Sequence, residues 1–474
     1  MSMSYTRVAA ICSLSLLLGA WQSDLKEEGR RAREAMLAHR YDQAIVIYRK
    51  MVAALPDQPN LRFNFALALH SGGRYREAAN ELESIRGSQE NNPKYWFLLG
   101  LAYLKLGDPG KAIPALEDAV RLDPATLDNR LELASAFLEA GRFDSAQQEF
   151  RQLSTAHPEL PKVWEGLALS QFELSREAFA ALAKSPASAS LRFGLAAVAE
   201  AEAGDTAKAE DSYRRALAEQ PPAPWMRAEL AALERGPSEK PKVGDCDVEP
   251  LPCAFYKGDW SAVAAATAKL RDRVSLYWVC RAYSQMARES VAQLAALPPS
   301  PEQHQMLARA YTELGHRSEA IAELRLAARL SPNDPLVQGQ LARQLWTDRR
   351  YEEAIALLNP LVAGHPEQPE WQFELGDALF SMGKTEEATP HLQQAVALAP
   401  NLLPAQAKLG ELLLRRGDAA GAVPHLERAE SLDQDGSLHY QLAVAYRRLG
   451  KTELASRAMT RQQELQQHSG NPSH

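Results

Sequence analysis

The chain has 474 residues, 46% of them hydrophobic and 24% charged, a balance that belongs to folded soluble proteins and excludes wholesale disorder. Lys and Arg total 53 against 60 Asp and Glu, a formal net charge of −7. No basic run stands along the sequence, so a nucleic-acid partner, which asks for a basic stripe, is not expected.

The first 23 residues read apart from the rest. Arg7 precedes an apolar run, Val8–Trp21, and the polar sequence SDLKEEGRR follows at once. A positive start before an apolar core of this length is the pattern of a secretory signal peptide, so an exported chain, periplasmic or secreted, is expected. The run is too short and too Ser-interrupted for a comfortable membrane span, which needs about 20 apolar residues. A cut after Ala20 puts Leu18 where a small residue is preferred. An uncleaved N-terminal anchor and a cytoplasmic chain with a capping helix therefore stay open as alternatives. Cys12 follows Ile11 rather than a small residue, so a lipoprotein is not expected.

From residue 24 to residue 235 the chain is periodic. The first unit carries Tyr41, Ala44, Tyr48 and Pro56 in its second helix, but its first helix is charged (KEEGRRARE), as suits the end of a stack. The next carries Ala66, Leu69, Gly73, Tyr75, Ala78 and Leu82. Then comes Pro93–Pro124, PKYWFLLGLAYLKLGDPGKAIPALEDAVRLDP. Trp96, Leu99, Gly100 and Tyr103 share one face of a first helix, Gly107 makes the turn, Ala112, Leu116 and Ala119 share one face of a second, and Pro124 closes the unit. This spacing resembles the tetratricopeptide repeat (TPR), a helix–turn–helix unit of about 34 residues.

The small residues of the first helices (Ala66, Gly100, Ala134) let the paired helix approach, and those of the second helices (Ala78, Ala112, Ala146) do the same from the other side. No pair buries its own apolar face, so the pairs must stack. Leu133, Phe137, Gly141, Phe150 and Pro158 mark a fourth unit. The fifth is degenerate: Trp164, Leu167, Ala168 and Phe172 fit a first helix, and SREAFAALAKSP a short second one. Phe193, Ala197, Gly204, Ala209, Tyr213 and Pro221 mark a sixth, followed by a helix without a clear mate.

Residues 236–252, GPSEKPKVGDCDVEPLP, have no helical period and read as a linker or loop. In an exported chain a Cys246–Cys253 bridge would pin this loop. A Cys253–Cys280 bridge competes with it, as does no bridge at all. Cys280 holds the small-residue position of a first helix and reads as a buried hydrophobe. There is no CxxC pair and no nearby His, so no zinc site is expected.

The second block, residues 253–467, opens with a helix, a turn at Gly258 and another helix. SLYWVCRAYSQMARESVAQLAAL follows as a divergent helix pair. From Pro301 the spacing is regular to the end, with Gly315, Gly383, Gly417 and Gly450 as turns and Trp371, Gly376, Gly410 and Ala443 among the marks. In all, about ten repeats and two divergent pairs are recognisable. A polar end, TRQQELQQH, suits a cap, and a disordered tail is expected over 468–474. The expected fold is all-α: a TPR solenoid, a right-handed superhelix of antiparallel helix pairs, in two blocks joined by the Pro/Gly-rich break.

No Walker A loop, HExxH or GxSxG occurs. His391 and His425 stand at equivalent positions of successive repeats, but no carboxylate or nucleophile repeats with them, so they read as solvated outer-face residues. No catalytic residue, metal or cofactor is expected, and the chain is not read as an enzyme.

The resemblance implies that the first helices line a concave surface where a protein or peptide partner lies. In the later repeats those positions are Gln305, Arg309, Arg343, Trp346, Phe373, Asp377, Phe380, Lys408, Glu411, Arg415, Tyr440 and Arg447. Trp346, Phe373, Phe380 and Tyr440 interleaved with Arg fit a recognition groove; the alternative is that they pack between repeats. Phe97, Leu101, Leu104, Leu131 and Leu138 form a more apolar strip in the first block that could take an amphipathic helix. Chaperone-binding TPR domains grip a peptide's terminal carboxylate with Lys and Asn; Phe63 and Leu67 hold the first two of those positions here, so that capture is not expected.

The resemblance thus implies a non-catalytic protein-binding scaffold, expected in a bacterial envelope. The alternatives are a glycan- or small-ligand-binding subunit of an envelope export system, and the recognition arm of a separate enzyme. No stable membrane span is expected in the mature chain, and its oligomeric state is left open.

Overall fold

The computed structural model describes residues 25–184, 188–219, 223–236, 241, 246, 249–267 and 272–469. The predicted signal peptide lies outside them. No strand occurs among the described residues, and no helix there is long and apolar enough to cross a membrane.

Two compact units divide the chain, Met1–Leu294 and Ala295–His474. In the first run α1 (residues 25–37), α2 (Tyr41–Ala54), α3 (Pro59–Ser71), α4 (Tyr75–Ser84), α5 (Pro93–Lys105), α6 (Pro109–Leu122), α7 (Leu127–Glu139), α8 (Phe143–Ala156), α9 (Pro161–Ala183), α10 (Ala189–Glu202), α11 (Thr206–Ala218), α12 (Pro224–Arg235), α13 (Pro250–Tyr256), α14 (Trp260–Thr267) and α15 (Arg273–Ala295). The second holds α16 (Pro301–Glu313), α17 (Arg317–Leu330), α18 (Pro335–Thr347), α19 (Tyr351–Gly364), α20 (Pro369–Ser381), α21 (Thr385–Leu398), α22 (Leu403–Arg415), α23 (Ala419–Arg428), α24 (Ser437–Arg448) and α25 (Thr452–Ser469).

The helix starts follow from local chemistry. Proline opens α5, where the missing N–H had no helical partner, and the Asn92 side chain before it accepts from the Lys94 and Tyr95 amides. Asp108 caps α6 in the same way, accepting from the Lys111 amide. Between the two, Gly107 takes φ 70°, a left-handed value that lets the chain reverse within a residue or two. Leu99, Ala112, Leu116 and Ala119 are then fully buried between the paired helices.

Three expectations are corrected here. The break at 236–252 does not separate the units. Leu191, Tyr213, Met226, Phe255, Tyr277 and Trp278 belong to one buried cluster, so α10 to α15 share a core and the break lies within the first unit. The degenerate fifth repeat is one unbroken helix, α9, of 23 residues, and the divergent pair at Ser275–Leu297 is another, α15, also of 23. Neither has a glycine or other left-handed residue where a turn would fall, so nothing stops the helix. The two long helices meet: the Ser175 hydroxyl donates to the Cys280 carbonyl (2.9 Å) and the Ser290 hydroxyl to Gln171 Oε1 (2.8 Å), all buried. At the C-terminus α25 runs to Ser469, past the expected end at 467, and residues 470–474 lie outside the described part.

Cys246 and Cys253 are joined by a disulfide, with Cα atoms 5.4 Å apart. Cys280 is a buried free thiol; burial pushes its pKa up, against a hydrogen bond from Ser175.

Candidate functional site

Six of the first helices carry a position that ties the repeat together, and sequence reasoning did not single it out. Its side chain donates to a backbone carbonyl six residues earlier, in the turn that follows the preceding helix: Arg62 to Pro56, Trp96 to Glu90, Trp164 to Pro158, Gln338 to Pro332, Gln372 to Pro366 and Gln406 to Pro400. These carbonyls lie in turns where no backbone amide bonds them, and the side chain supplies their donor. The same position reaches its own second helix 19 residues on. Arg62 meets Glu81 at 2.6 Å, Arg130 meets Glu149 at 2.7 Å, and His304 meets Glu323 at 2.6 Å.

His391 and His425 take their meaning from this arrangement. Each Nδ1–H donates to a glutamine Oε1, His391 to Gln372 (2.9 Å) and His425 to Gln406 (2.7 Å). They are half-buried struts rather than the solvated residues expected from the sequence. Burial holds both imidazoles below their ordinary pKa. Their folded pKa is depressed, so the unfolded chain binds more protons as the pH falls through the ordinary histidine range. The second unit is therefore expected to keep its full stability above pH ~6.5 and to lose it progressively below. Its melting temperature measured between pH 7.5 and 5.5 should fall further in the wild type than in a His391→Gln, His425→Gln variant. Parallel pH profiles would remove the histidines as the cause.

Several of the predicted groove residues are tied by polar contacts within and between successive first helices. Arg343 Nε lies 2.5 Å from Glu374 Oε1, and Trp346 Nε1–H donates to Asp377 Oδ2 at 2.8 Å, each pair 31 residues apart. Lys408 Nζ stands 3.2 Å from Asp377 and 3.1 Å from Glu411, and Arg415 lies 3.2 Å from Glu411. Burial pushes the Glu374 carboxyl up, with Arg343 opposing it. Burial alone would push the Lys408 ammonium down, but Asp377 and Glu411 outweigh it and the net shift is upward.

The aromatic stripe is not the exposed groove that was expected. Phe373 and Phe380 are 9% and 3% exposed and belong to the core. Trp346 packs edge-on against Phe373. Phe380 is roofed by the Arg415 guanidinium, 4.2 Å from its centroid. A ring between consecutive repeats is covered from both sides, which is the alternative reading of these positions. In the first unit Leu131 is buried, while Phe97, Leu101, Leu104 and Leu138 are half-buried.

Tyr440 differs, at 53% exposed. It lines a hollow of about 710 Å³ with Glu411, Leu414, Arg415, Arg448 and Gln462. Glu411, Arg415 and Tyr440 are thus the predicted groove residues that one cavity brings together. Arg309 and Arg447 are exposed elsewhere on the second unit, and Gln305 is half-buried. Arg448 lines the cavity where Arg447 had been expected, and its Nη1 donates to the Leu414 carbonyl (2.6 Å). One residue turns a helix by about 100°, so the choice between two adjacent arginines needs the helix phase. No cluster of three or more potential metal ligands occurs among the described residues.

Tetratricopeptide-repeat family models match residues 103–169 and 379–445, 167–224 and 340–402, and 304–334. Together they cover more than half of the chain, which belongs to the tetratricopeptide-repeat family: an all-α solenoid of stacked helix pairs. A model for subunit 3 of the anaphase-promoting complex, cyclosome, matches residues 38–119. No curated protein matches the chain. Among solved structures it is similar to MamA (residue 41 to the end) from Desulfovibrio magneticus RS-1, at 21% identity over 36% of this chain and 97% of that one, TM-score 0.33. It is also similar to the Cut9–Hcn1 hetero-tetramer of the APC/C, at 18% identity over 92% of each chain, TM-score 0.34. YrrB, described as a TPR protein with an unusual peptide-binding site, is 19% identical over 35% of this chain and 85% of that one, TM-score 0.31.

Proposed function

We propose that the chain is a non-catalytic protein-binding scaffold that holds a partner segment in the hollow beside Tyr440, and that it works in a bacterial envelope. The observation that carries the binding site is that Tyr440 is open to solvent while the other aromatics of its stripe are packed away or covered. A tyrosine flanked by Arg415 and Arg448 over the apolar side chains of Leu414 and Val444 has the composition of an interface hot spot. The apolar run after Arg7 supports export. So does the Cys246–Cys253 pair, since disulfides persist in oxidising compartments.

The test is capture from an envelope extract with wild type and a Tyr440→Ala variant of unchanged helicity. A protein retained by wild type and lost from the variant is the expected result, with affinity down roughly thirtyfold, about 2 kcal/mol. Equal capture would exclude the Tyr440 hollow, and capture of nothing specific would remove the envelope-scaffold reading.

A further inference from the structure

The first unit has a second cavity, built from α9, α10 and α15, with a different composition. It measures about 390 Å³, within the usual range of small-ligand sites. One wall is apolar, formed by Leu195, Val198 and Phe179, the last 45% exposed although it is a large aromatic. Four arginines line this cavity, Arg176, Arg192, Arg281 and Arg288, in a chain whose net charge is −7.

Three of the four are matched. Arg176 pairs with Glu173 at 2.6 Å, Arg288 with Glu202, and Arg281 with the buried Glu229. Arg192 donates only to the Ala183 carbonyl, at 3.2 Å, and has no carboxylate within ion-pair distance among the described residues. The Arg281 side chain is nine-tenths buried and its Nε–H has no acceptor. The cavity therefore holds one uncompensated positive charge, Arg192, beside an apolar wall.

We infer that this cavity binds a small monocarboxylic acid with an apolar body. Its carboxylate would lie against Arg192, whose planar fork matches two carboxylate oxygens. Its hydrocarbon part would lie on Phe179, Leu195 and Val198. One surplus charge suits a monoanion; a phosphate dianion would need a second.

The test is calorimetric titration of the full chain with 3-phenylpropionate, its neutral amide 3-phenylpropanamide, and the free-acid peptide acetyl-Ala-Ala-Phe. The acid is expected to bind at least tenfold more tightly than the amide. Arg192→Gln should weaken the acid tenfold or more and leave the amide unchanged, whereas Phe179→Ala should weaken both. Circular dichroism and melting of both variants exclude misfolding as the cause, and Tyr440→Ala should bind the acid as wild type does, which separates this site from the hollow of the second unit. Equal binding of acid and amide, an unaffected Arg192→Gln, or no binding at millimolar concentration would each overturn the inference. Binding of the peptide in preference to the small acid would overturn the small-molecule assignment and identify a chain terminus as the ligand.

Discussion

Replacing Glu229 by alanine is expected to destabilise the first unit by about 3–5 kcal/mol, because it strands a charge that water cannot reach. Arg281 points into a nest of rings, with its guanidinium 4.6 Å from the Phe255 centroid, 5.0 Å from Trp278 and 5.5 Å from Tyr277. Glu229, with only 3% of its side chain exposed, is its carboxylate partner and also accepts from the Tyr256 hydroxyl. Burial works against the guanidinium's charge, and Glu229 more than restores it: the Arg281 pKa is driven up. The measurement is urea unfolding of the full chain, in which the first-unit transition should move to lower urea by about 1 M or more. A loss under about 1 kcal/mol would mean that Arg281 finds solvent or another acid. A Glu229→Leu, Arg281→Leu double variant makes the argument sharper. It removes both charges and should recover most of the loss, since well-packed apolar residues commonly replace a buried ion pair without cost.

Gly166→Ala is expected to cost about 3 kcal/mol, the upper end of the usual range for overpacking. A methyl group there would lie 2.2–2.5 Å from three atoms of the Phe150 ring, which is itself 1% exposed and has nowhere to retreat. Gly364 is the control: a methyl group there meets nothing within 4 Å, so Gly364→Ala should be neutral or slightly stabilising. Thermal melting of the two variants separates steric conflict from helix propensity. Phe150→Leu combined with Gly166→Ala should cost less than the sum of the two single changes, as contacting sites do. A melting temperature for Gly166→Ala equal to wild type would show that α8 and α9 slide apart easily.

The helix pairs were legible wherever a turn residue and a small residue fell at the repeat spacing. Gly107 and Gly100 define α5 and α6 by their spacing alone, and Gly417 with Gly410 do the same for α22 and α23. Where the turn residue is missing, at Glu173–Arg176 and again in the middle of α15, the repeat template still suggested a pair and the backbone simply continued. The α9–α15 contact was invisible because its partners, such as Ser175 and Cys280, are 105 residues apart with no shared motif. The groove positions were correctly placed on first helices. What the spacing could not say is whether an aromatic there faces a partner or the next repeat, since Phe380 and Tyr440 look alike until the neighbour that covers one of them is known. The cavity around Arg192 lay outside the repeat logic altogether, because it depends on the two helices that break it.

The ties between successive first helices also make the second unit a counted object rather than an extendable one. Arg343 finds Glu374 one repeat further along, and the corresponding residue one repeat beyond that is Lys408. Excising residues 369–402 would leave the helix-pair pattern intact and the core residues matched in kind, yet it would bring Arg343 against Lys408 and set two like charges where an acid and a base had met. Repeat arrays lengthen and shorten by duplication and loss of whole units, and most of the buried positions here would tolerate that. The charge sequence along the ladder would not, so the order of these repeats is written on the surface that they share rather than in the core that makes them alike.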